Sequence, residues 1–198
     1  MNKIIWIDCE TGGTNDKTDA IVQLSAIIEM GGEVVDGIDL KMKPLSGKKV
    51  SDEALKVQGR TLSDIQSFED PKVCYDRFYK FLQREPKSKT NRFVVGGYNT
   101  DFDLRFLSQW FQDITGGPYA FWDYLQFSPI DVLPTLRAMR HWGVIDTVDT
   151  KLETMCKYFD IELQAHDSMS DITATRLLTH HVYGKLFSNV EFNGTKAQ

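Results

Sequence analysis

The chain is poor in the features that would tie it to an oxidising compartment, a membrane or the outside of a long duplex. Its three cysteines, Cys9, Cys74 and Cys156, are odd in number and widely spaced. They suggest neither a disulfide framework nor a CxxC metal site, and a reducing cytoplasm is the expected location. No unbroken apolar stretch is long enough to span a bilayer. The N-terminus offers only Lys3 and a run of four apolar residues before Asp8, too short for a signal peptide, so no membrane partner is expected. Without a secretory signal, the sequon Asn193-Gly194-Thr195 is read as accidental. Positive charge is also in deficit: 23 Lys and Arg against 28 Asp and Glu leave a net −5. That balance argues against binding that runs on phosphate neutralisation by Lys and Arg alone. It leaves room for an enzyme that recruits cations, since two divalent ions would bring the balance to about −1 and become the largest local charges.

What is present is enough for one domain. A length of 198 residues with 41% hydrophobic content supports a single core, and no repeat, low-complexity tract or linker interrupts it. The expected boundaries are one domain over residues 1–187 and a polar, frayed tail over 188–198. "KIIWIDCETGG" (residues 3–13) begins as a buried strand. Residues 21–30 and 33–42 read as two more strands joined by a Gly31-Gly32 hairpin turn. From about residue 50 the pattern becomes helical, with Cys74, Phe78, Phe81 and Leu82 on one face. A loop over 85–92 leads to a short buried strand over 93–98, then to a helix lined by Leu104, Leu107 and Phe111. Asp131 reads as the N-cap of a helix with Pro134 in its first turn. Thr150 to Glu153 reads as a capping box, and "HDSMSDITATRLLTHHVYGKLF" opens the last helix. Three strands, a helix, a strand and several helices predict an α/β layered domain with a mixed sheet.

Asp8 and Glu10 stand out because they interrupt an apolar strand, where ionised carboxylates are costly without a counter-charge. Two residues apart on a strand, they project from the same face, and that spacing suits a carboxylate pair bridging two ions about 3.5–4 Å apart. The same pair could equally be a strand end emerging into solvent. "GYNTDFDLRFL" (residues 97–107) places Asp101 and Asp103 at a helix start, where Thr100 to Asp103 also fits a capping box worth about 0.3–1 kcal/mol. Ser168 to Asp171 carries the same ambiguity, and His166 alone reads as a loop histidine. Each motif nonetheless sits at a strand end or a helix start, where a rigid scaffold aims a side chain near the surface.

In that order, Asp8-x-Glu10-Thr11-Gly12, Asn99-x-x-Phe102-Asp103 and His166-x-x-x-x-Asp171 resemble the DEDDh 3′→5′ exonuclease family, the proofreading-exonuclease branch of the RNase H-like superfamily. The resemblance runs from the first strand to the last helix. It implies an RNase H-like fold: a five-stranded mixed sheet flanked by helices, with the first strand central. It also implies that Asp8 bridges two metal ions, that Glu10 and Asp171 complete the first site, that Asp103 supports the second and that His166 is the general base. Thr11, Gly12, Gly13, Asn99 and Phe102 are the implied substrate contacts, the glycines allowing close approach at the terminal 3′-OH. Family members often carry His where this chain has Tyr98, and Asp101 is assigned to helix capping.

Four oxygen ligands without His or Cys at ligand spacing select Mg²⁺ or Mn²⁺ over Zn²⁺. The chemistry implied is metal-assisted hydrolysis of the terminal phosphodiester of a single strand, releasing nucleoside 5′-monophosphates, with activity rising from pH 6 toward 8 as His166 loses its proton. The exposed members of Phe121, Trp122, Tyr124 and Phe127 are candidate stacking platforms. Lys48, Lys49, Lys87, Lys89 and Arg92 are candidate phosphate contacts, although such groups also serve as core and solvated loop. Single-stranded DNA is slightly favoured; a 3′→5′ exoribonuclease is the alternative, since no motif reports on the 2′-OH. A non-catalytic module binding nucleic-acid ends or a protein is the second alternative, and it would have no reason to keep all four acids and His166. A polymerase partner is not legible in the sequence, and neither is the choice between monomer and homodimer.

Overall fold

Alternation along one strand sets the architecture. In the computed structural model, which describes residues 3–85, 91–117, 122–126 and 128–187, strand β1 (Lys3–Thr11) points Ile5, Ile7 and Cys9 to one side and Trp6, Asp8 and Glu10 to the other. It pairs antiparallel with β2 (Ile21–Met30), which pairs antiparallel with β3 (Glu33–Lys41). Gly31 and Gly32 turn between them with φ of 62° and 92°, the left-handed conformation that a two-residue hairpin needs. On its other edge β1 pairs parallel with β4 (Val94–Gly97), and β4 with β5 (Ile130–Asp131). The order β3-β2-β1-β4-β5 makes a five-stranded mixed sheet with β1 at its centre, as the resemblance implies.

Helices cover both faces. On the Ile5 side lie α3 (Pro71–Leu82) and α4 (Thr100–Thr115), whose Cys74, Phe78, Leu107 and Phe111 close the main core. Each fully buried side chain of this size contributes about 1.5–3 kcal/mol. Helix α3 has the apolar face read from the sequence, with Asp70 capping its start and Pro71 in its first turn. The short helices α1 (Asp52–Gln58) and α2 (Leu62–Gln66) lie between β3 and α3 in the chain. On the Trp6 side, α7 (Ser168–Phe187) packs Ile172 and Met169 against Trp6 and Ile27. It shares a second cluster, including Leu136, Met155, Leu178 and Val182, with α5 (Val132–His141) and α6 (Leu152–Tyr158). Gly96 lets β4 run under the Trp6 ring, since a Cβ there would fall 2.5 Å from it. No helix among the described residues is long and apolar enough to cross a membrane.

Several local expectations are corrected. The third strand ends at Lys41, with Met42 in an isolated bridge to Glu69, and the fourth is Val94–Gly97, with Phe93 bridging Leu125. The Thr100 to Asp103 capping box does not form. Asn99, at φ 60°, is the N-cap of α4 without a side-chain bond, and the Asn99 and Thr100 N–H groups donate to the Asp131 carboxylate at 3.1 and 3.0 Å. Asp131 is also the N-cap of α5, as expected, accepting from Leu133 N at 3.0 Å, so one carboxylate fixes two helix starts. Helix α6 starts one residue later than its expected box, after Lys151, whose N–H donates to Asp149. At α7 the cap is Asp167, which accepts from Ser170 N at 3.2 Å, and not Ser168. The proposed tail, 188–198, lies outside the described residues.

Candidate active site

The C-terminal end of β1 carries Asp8 and Glu10 side by side on the α7 face, just before a register shift between Glu10 and Thr11 that turns the strand. Asp171, in the first turn of α7, meets them from above. One carboxylate oxygen from each of Asp8, Glu10 and Asp171 lies within 4.8 Å of the other two. The Asp171 Oδ1 is buried with no hydrogen-bond partner, and its Oδ2 accepts the His166 N–H at 3.3 Å. His166 is exposed, and its φ of 65° is a left-handed conformation rare for a residue with a side chain. Asn99 shares that conformation, so two of the three non-glycine residues with positive φ among those described flank this cluster.

Asp103 stands apart from the other three acids. It is 3% exposed, in the first turn of α4, and its Oδ1 accepts the Cys9 N–H at 2.9 Å. It therefore binds the β1 backbone between Asp8 and Glu10, close enough for its charge to act on Asp8.

All four acids are harder to ionise than ordinary carboxyls. Removal from water raises Asp8 well above its usual range, and the charges of Asp103, Asp171 and Glu10 add to it. Burial raises Asp103 to about 8 against the pull of its backbone hydrogen bonds, and Asp171 to about 7 with help from Glu10. Glu10 is raised by burial in spite of the His166 and Arg60 charges beside it. Four acids that resist ionisation together, all oxygen donors, with one oxygen buried and unpaired, fit a hard divalent cation.

A polar layer that the motifs do not include supports the cluster. Gln23 and Ser25 face Glu10 and Asp8 across the β1–β2 ladder. Gln23, fully buried, donates to Asp39 at 2.9 Å and Asp167 at 3.3 Å and accepts from Arg60 at 2.5 Å. The Ser25 hydroxyl pairs with that of Ser168 at 2.6 Å, pinning the start of α7 to β2. Two polar residues at alternate positions of the apolar run "IVQLSAIIEM" were the signal for this layer.

Two clefts flank the acids. One, of about 560 Å³, is lined by Glu10, Thr11, Gly13, Ala54, Val57 and Phe102. The other, of about 460 Å³, is lined by Tyr98, Asn99, Arg137, Lys151, His166 and Asp171, among others. Thr11, Gly13 and Phe102 thus border the first cleft and Asn99 the second. Gly12 has a reason of its own within the fold: a Cβ there would lie 2.2 Å from the Lys49 carbonyl, because its N–H and C=O bond Ala20 O and Ser51 N. The Tyr98 hydroxyl donates to Thr150 O at 2.5 Å.

Other assignments move. Asp101, with a side chain 86% exposed, pairs with Arg105 four residues on and caps nothing. Lys48 is spent on Asp113 at 2.7 Å and on the carbonyls of Asp16 and Lys17, while Lys49 is exposed. Tyr124 is core and Trp122 packs against it, so neither is an open stacking platform. Arg92 is half-buried; Phe121, Phe127, Lys87 and Lys89 lie outside the described residues.

Relatives share this frame. The chain is 27% identical over 195 residues to a PolC-type DNA polymerase III of Oceanobacillus iheyensis, covering 96% of this chain and 12% of that protein. It is 28% identical over 112 residues to ribonuclease T of Vibrio parahaemolyticus, covering 52% of each. It thus spans about half of that ribonuclease and about a tenth of that polymerase. Among solved structures, E. coli exonuclease I in complex with a dT13 oligonucleotide superposes with a TM-score of 0.77 at 24% identity, over 95% of this chain and 43% of that one. A zinc-bound exonuclease I complex with single-stranded DNA superposes with a TM-score of 0.78 at 24% identity, over 95% and 42%. The family model RNase_T, described as exonuclease, matches residues 5–179. Nine-tenths of the described chain and every acid of the cluster fall within that match, and the chain belongs to this exonuclease family.

Proposed function

We propose that residues 1–187 form one exonuclease domain that hydrolyses the 3′-terminal phosphodiester of single-stranded nucleic acid, DNA in the first instance, releasing nucleoside 5′-monophosphates. The observation that carries the reading is the convergence of Asp8, Glu10 and Asp171 within 4.8 Å, beside His166, in a member of an exonuclease family. Asp8, Glu10 and Asp171 would hold one Mg²⁺ or Mn²⁺, and Asp103 with Asp8 a second. Bound there, such ions supply a more acidic water and neutralise charge building on the phosphate and the leaving 3′-oxygen.

The chain's own groups do the rest. His166 accepts a proton on an imidazole nitrogen as water attacks, and its exposure leaves it free to pass that proton to solvent. Its backbone N–H, held on Asp171, keeps it at the edge of the cluster. Thr11, Gly13 and Phe102 border the place for the terminal nucleoside, with the Phe102 ring available to the sugar or base and Gly12 holding the backbone between Thr11 and Gly13 close to Lys49. Asn99 faces the other side of the scissile bond.

Similarity to ribonuclease T supports a second substrate, an RNA 3′ end, and similarity to PolC-type polymerases supports a polymerase as partner. Three free cysteines support a cytoplasmic location. The test is a gel of 3′- and 5′-labelled DNA and RNA strands of matched sequence with Mg²⁺, Mn²⁺ or EDTA, beside Asp8→Ala. A metal-dependent ladder shortening from the 3′ end, lost in the variant, is expected. Folded, metal-binding protein that cuts neither strand overturns the reading.

A further inference from the structure

The two clefts beside the acids differ in charge. The cleft with Thr11 and Phe102 has no Lys or Arg in its lining, and contributes Glu10, Asp19 and Glu53. The cleft with Asn99 and His166 presents Arg137 from α5 and Lys151 from the start of α6, both exposed. Arg105 is held by Asp16 and Asp101 and Lys48 by Asp113, while Arg60 lies half-buried on Gln23, with its charge acting on Glu10. Neither Arg137 nor Lys151 has an ion pair within 4 Å among the described residues, and the Lys151 charge acts at longer range on Asp149. Of the acids around them, Asp149 is committed to the Lys151 N–H and the Thr154 hydroxyl, and the charge of Glu153 is felt at Asp171. Leu133, Leu152 and Leu163 give the cleft an apolar floor. The Tyr98 hydroxyl bond to Thr150 O joins its two walls, the β4–α4 turn and the start of α6.

A strand cut at its 3′ end is asymmetric in the same way. The leaving nucleotide carries only the scissile phosphate, which stays at the acids, whereas the remaining strand brings one phosphate per nucleotide. We infer that Arg137 and Lys151 are the strand-side phosphate contacts: this cleft takes the nucleotides upstream of the scissile bond, with phosphates on the two cations and a sugar or base over the leucines. The inference rests on the exonuclease reading and deepens it, by giving the cut a direction from the charge of the clefts.

The test compares wild type with an Arg137→Gln/Lys151→Gln double variant and with Arg137→Lys. Binding of fluorescein-labelled dT8 with phosphorothioate terminal linkages is followed by anisotropy across a salt series. The double variant should bind at least about ten-fold more weakly, and the slope of log affinity against log salt should shrink by about 1.4, some 0.7 for each lost contact on a single strand. Arg137→Lys, which keeps the charge, should retain most of the affinity. In turnover, kcat/KM on dT8 should fall at least about ten-fold further than on the p-nitrophenyl ester of thymidine 5′-monophosphate, which has no upstream strand. Unchanged dT8 affinity and salt slope in a wild-type-like active variant would overturn the cleft assignment and leave the exonuclease standing. Equal losses on the two substrates would overturn it too. If wild type cuts neither substrate yet binds dT8 through these two cations, the exonuclease reading falls and takes the upstream assignment with it, leaving Arg137 and Lys151 as single-strand phosphate contacts only.

Discussion

The Asp103 carboxylate accepts the backbone N–H of Cys9 at 2.9 Å, joining α4 to β1 across 94 residues of chain. This contact separates two roles that a single substitution would blur. Asp103→Asn keeps an acceptor oxygen and removes the charge, so it should lose at least about a hundred-fold in kcat with little loss of stability. Asp103→Ala should lose activity as well and also destabilise by about 1–3 kcal/mol, because it leaves the Cys9 N–H unpaired. Asp101→Ala should leave activity intact and change stability by under about 0.5 kcal/mol, its pair with Arg105 being exposed. Thermal unfolding beside turnover checks all three. An inactive, wild-type-stable Asp101→Ala would mean that the wrong carboxylate has been chosen.

His166 combines a backbone and a side-chain requirement. Asn tolerates the left-handed conformation at φ 65°, so His166→Asn should keep the fold and divalent-cation affinity while turnover drops by about 10²–10⁴. His166→Ala should lose the same turnover and in addition about 1 kcal/mol of stability. Calorimetric titration with Mn²⁺ beside turnover measures both, and unchanged turnover in either variant removes the proton-transfer role.

Metal-free protein should become less stable as pH rises. Asp103 and Asp171 hold their protons to about 8 and about 7 in the fold, against an ordinary 3.8 in the unfolded chain. Between those values the folded state binds more protons, so unfolding becomes easier with increasing pH from about 4 to 8. A divalent cation displaces those protons, and should raise Tm more at pH 8 than at pH 6, with proton release that is larger at the lower pH. Melting curves with EDTA and with Mn²⁺ across that range decide it; a metal-free Tm that climbs from pH 5 to 8 contradicts it.

Far from the site, Glu29 is 3% exposed and its Oε2 meets Trp6 Nε1, Arg176 Nε and His180 Nε2 at 3.2, 2.5 and 2.8 Å. Burial alone would raise its carboxyl, but the His180 and Arg176 bonds outweigh that and hold it below its usual value. Glu29 therefore contributes stability above its ordinary 4.5 that is lost as pH falls through its lower folded value. Glu29→Ala should cost about 1–3 kcal/mol by leaving Trp6 Nε1 and Arg176 Nε without their acceptor, with Arg176 still held on the Gly32 carbonyl and activity per folded molecule unchanged. Denaturant melts checked against turnover test this, and a selective loss of turnover would show that α7 transmits strain to Asp171.

The N-terminal strands and the positions of the acids were legible because they follow from local rules, namely alternation in β1, a Gly-Gly turn and an apolar stripe on α3, whereas the five-stranded sheet with β1 central came from the family resemblance. The caps were not, because the groups that finish a helix can come from anywhere. Asp131 closes the start of α4 from 32 residues away, and no spacing rule reaches that far. Thr100 looked like a cap and is instead buried in the first turn, with its hydroxyl unpaired. Tyr124 was open between a stacking platform and core and is core, since an aromatic-rich connection reads alike in both settings. Arg137 and Lys151 sit in separate helical segments and become neighbours of His166 only through the packing of α5 and α6 on α7.

The two ends of the acidic cluster, Asp8 and Asp171, come from the first strand and the last described helix. A chain still emerging from a ribosome holds Asp8, Glu10 and Asp103 long before Asp171 can join them. The three-acid cluster therefore closes only once α7 has packed on β1, so it depends on contacts that span most of the described chain.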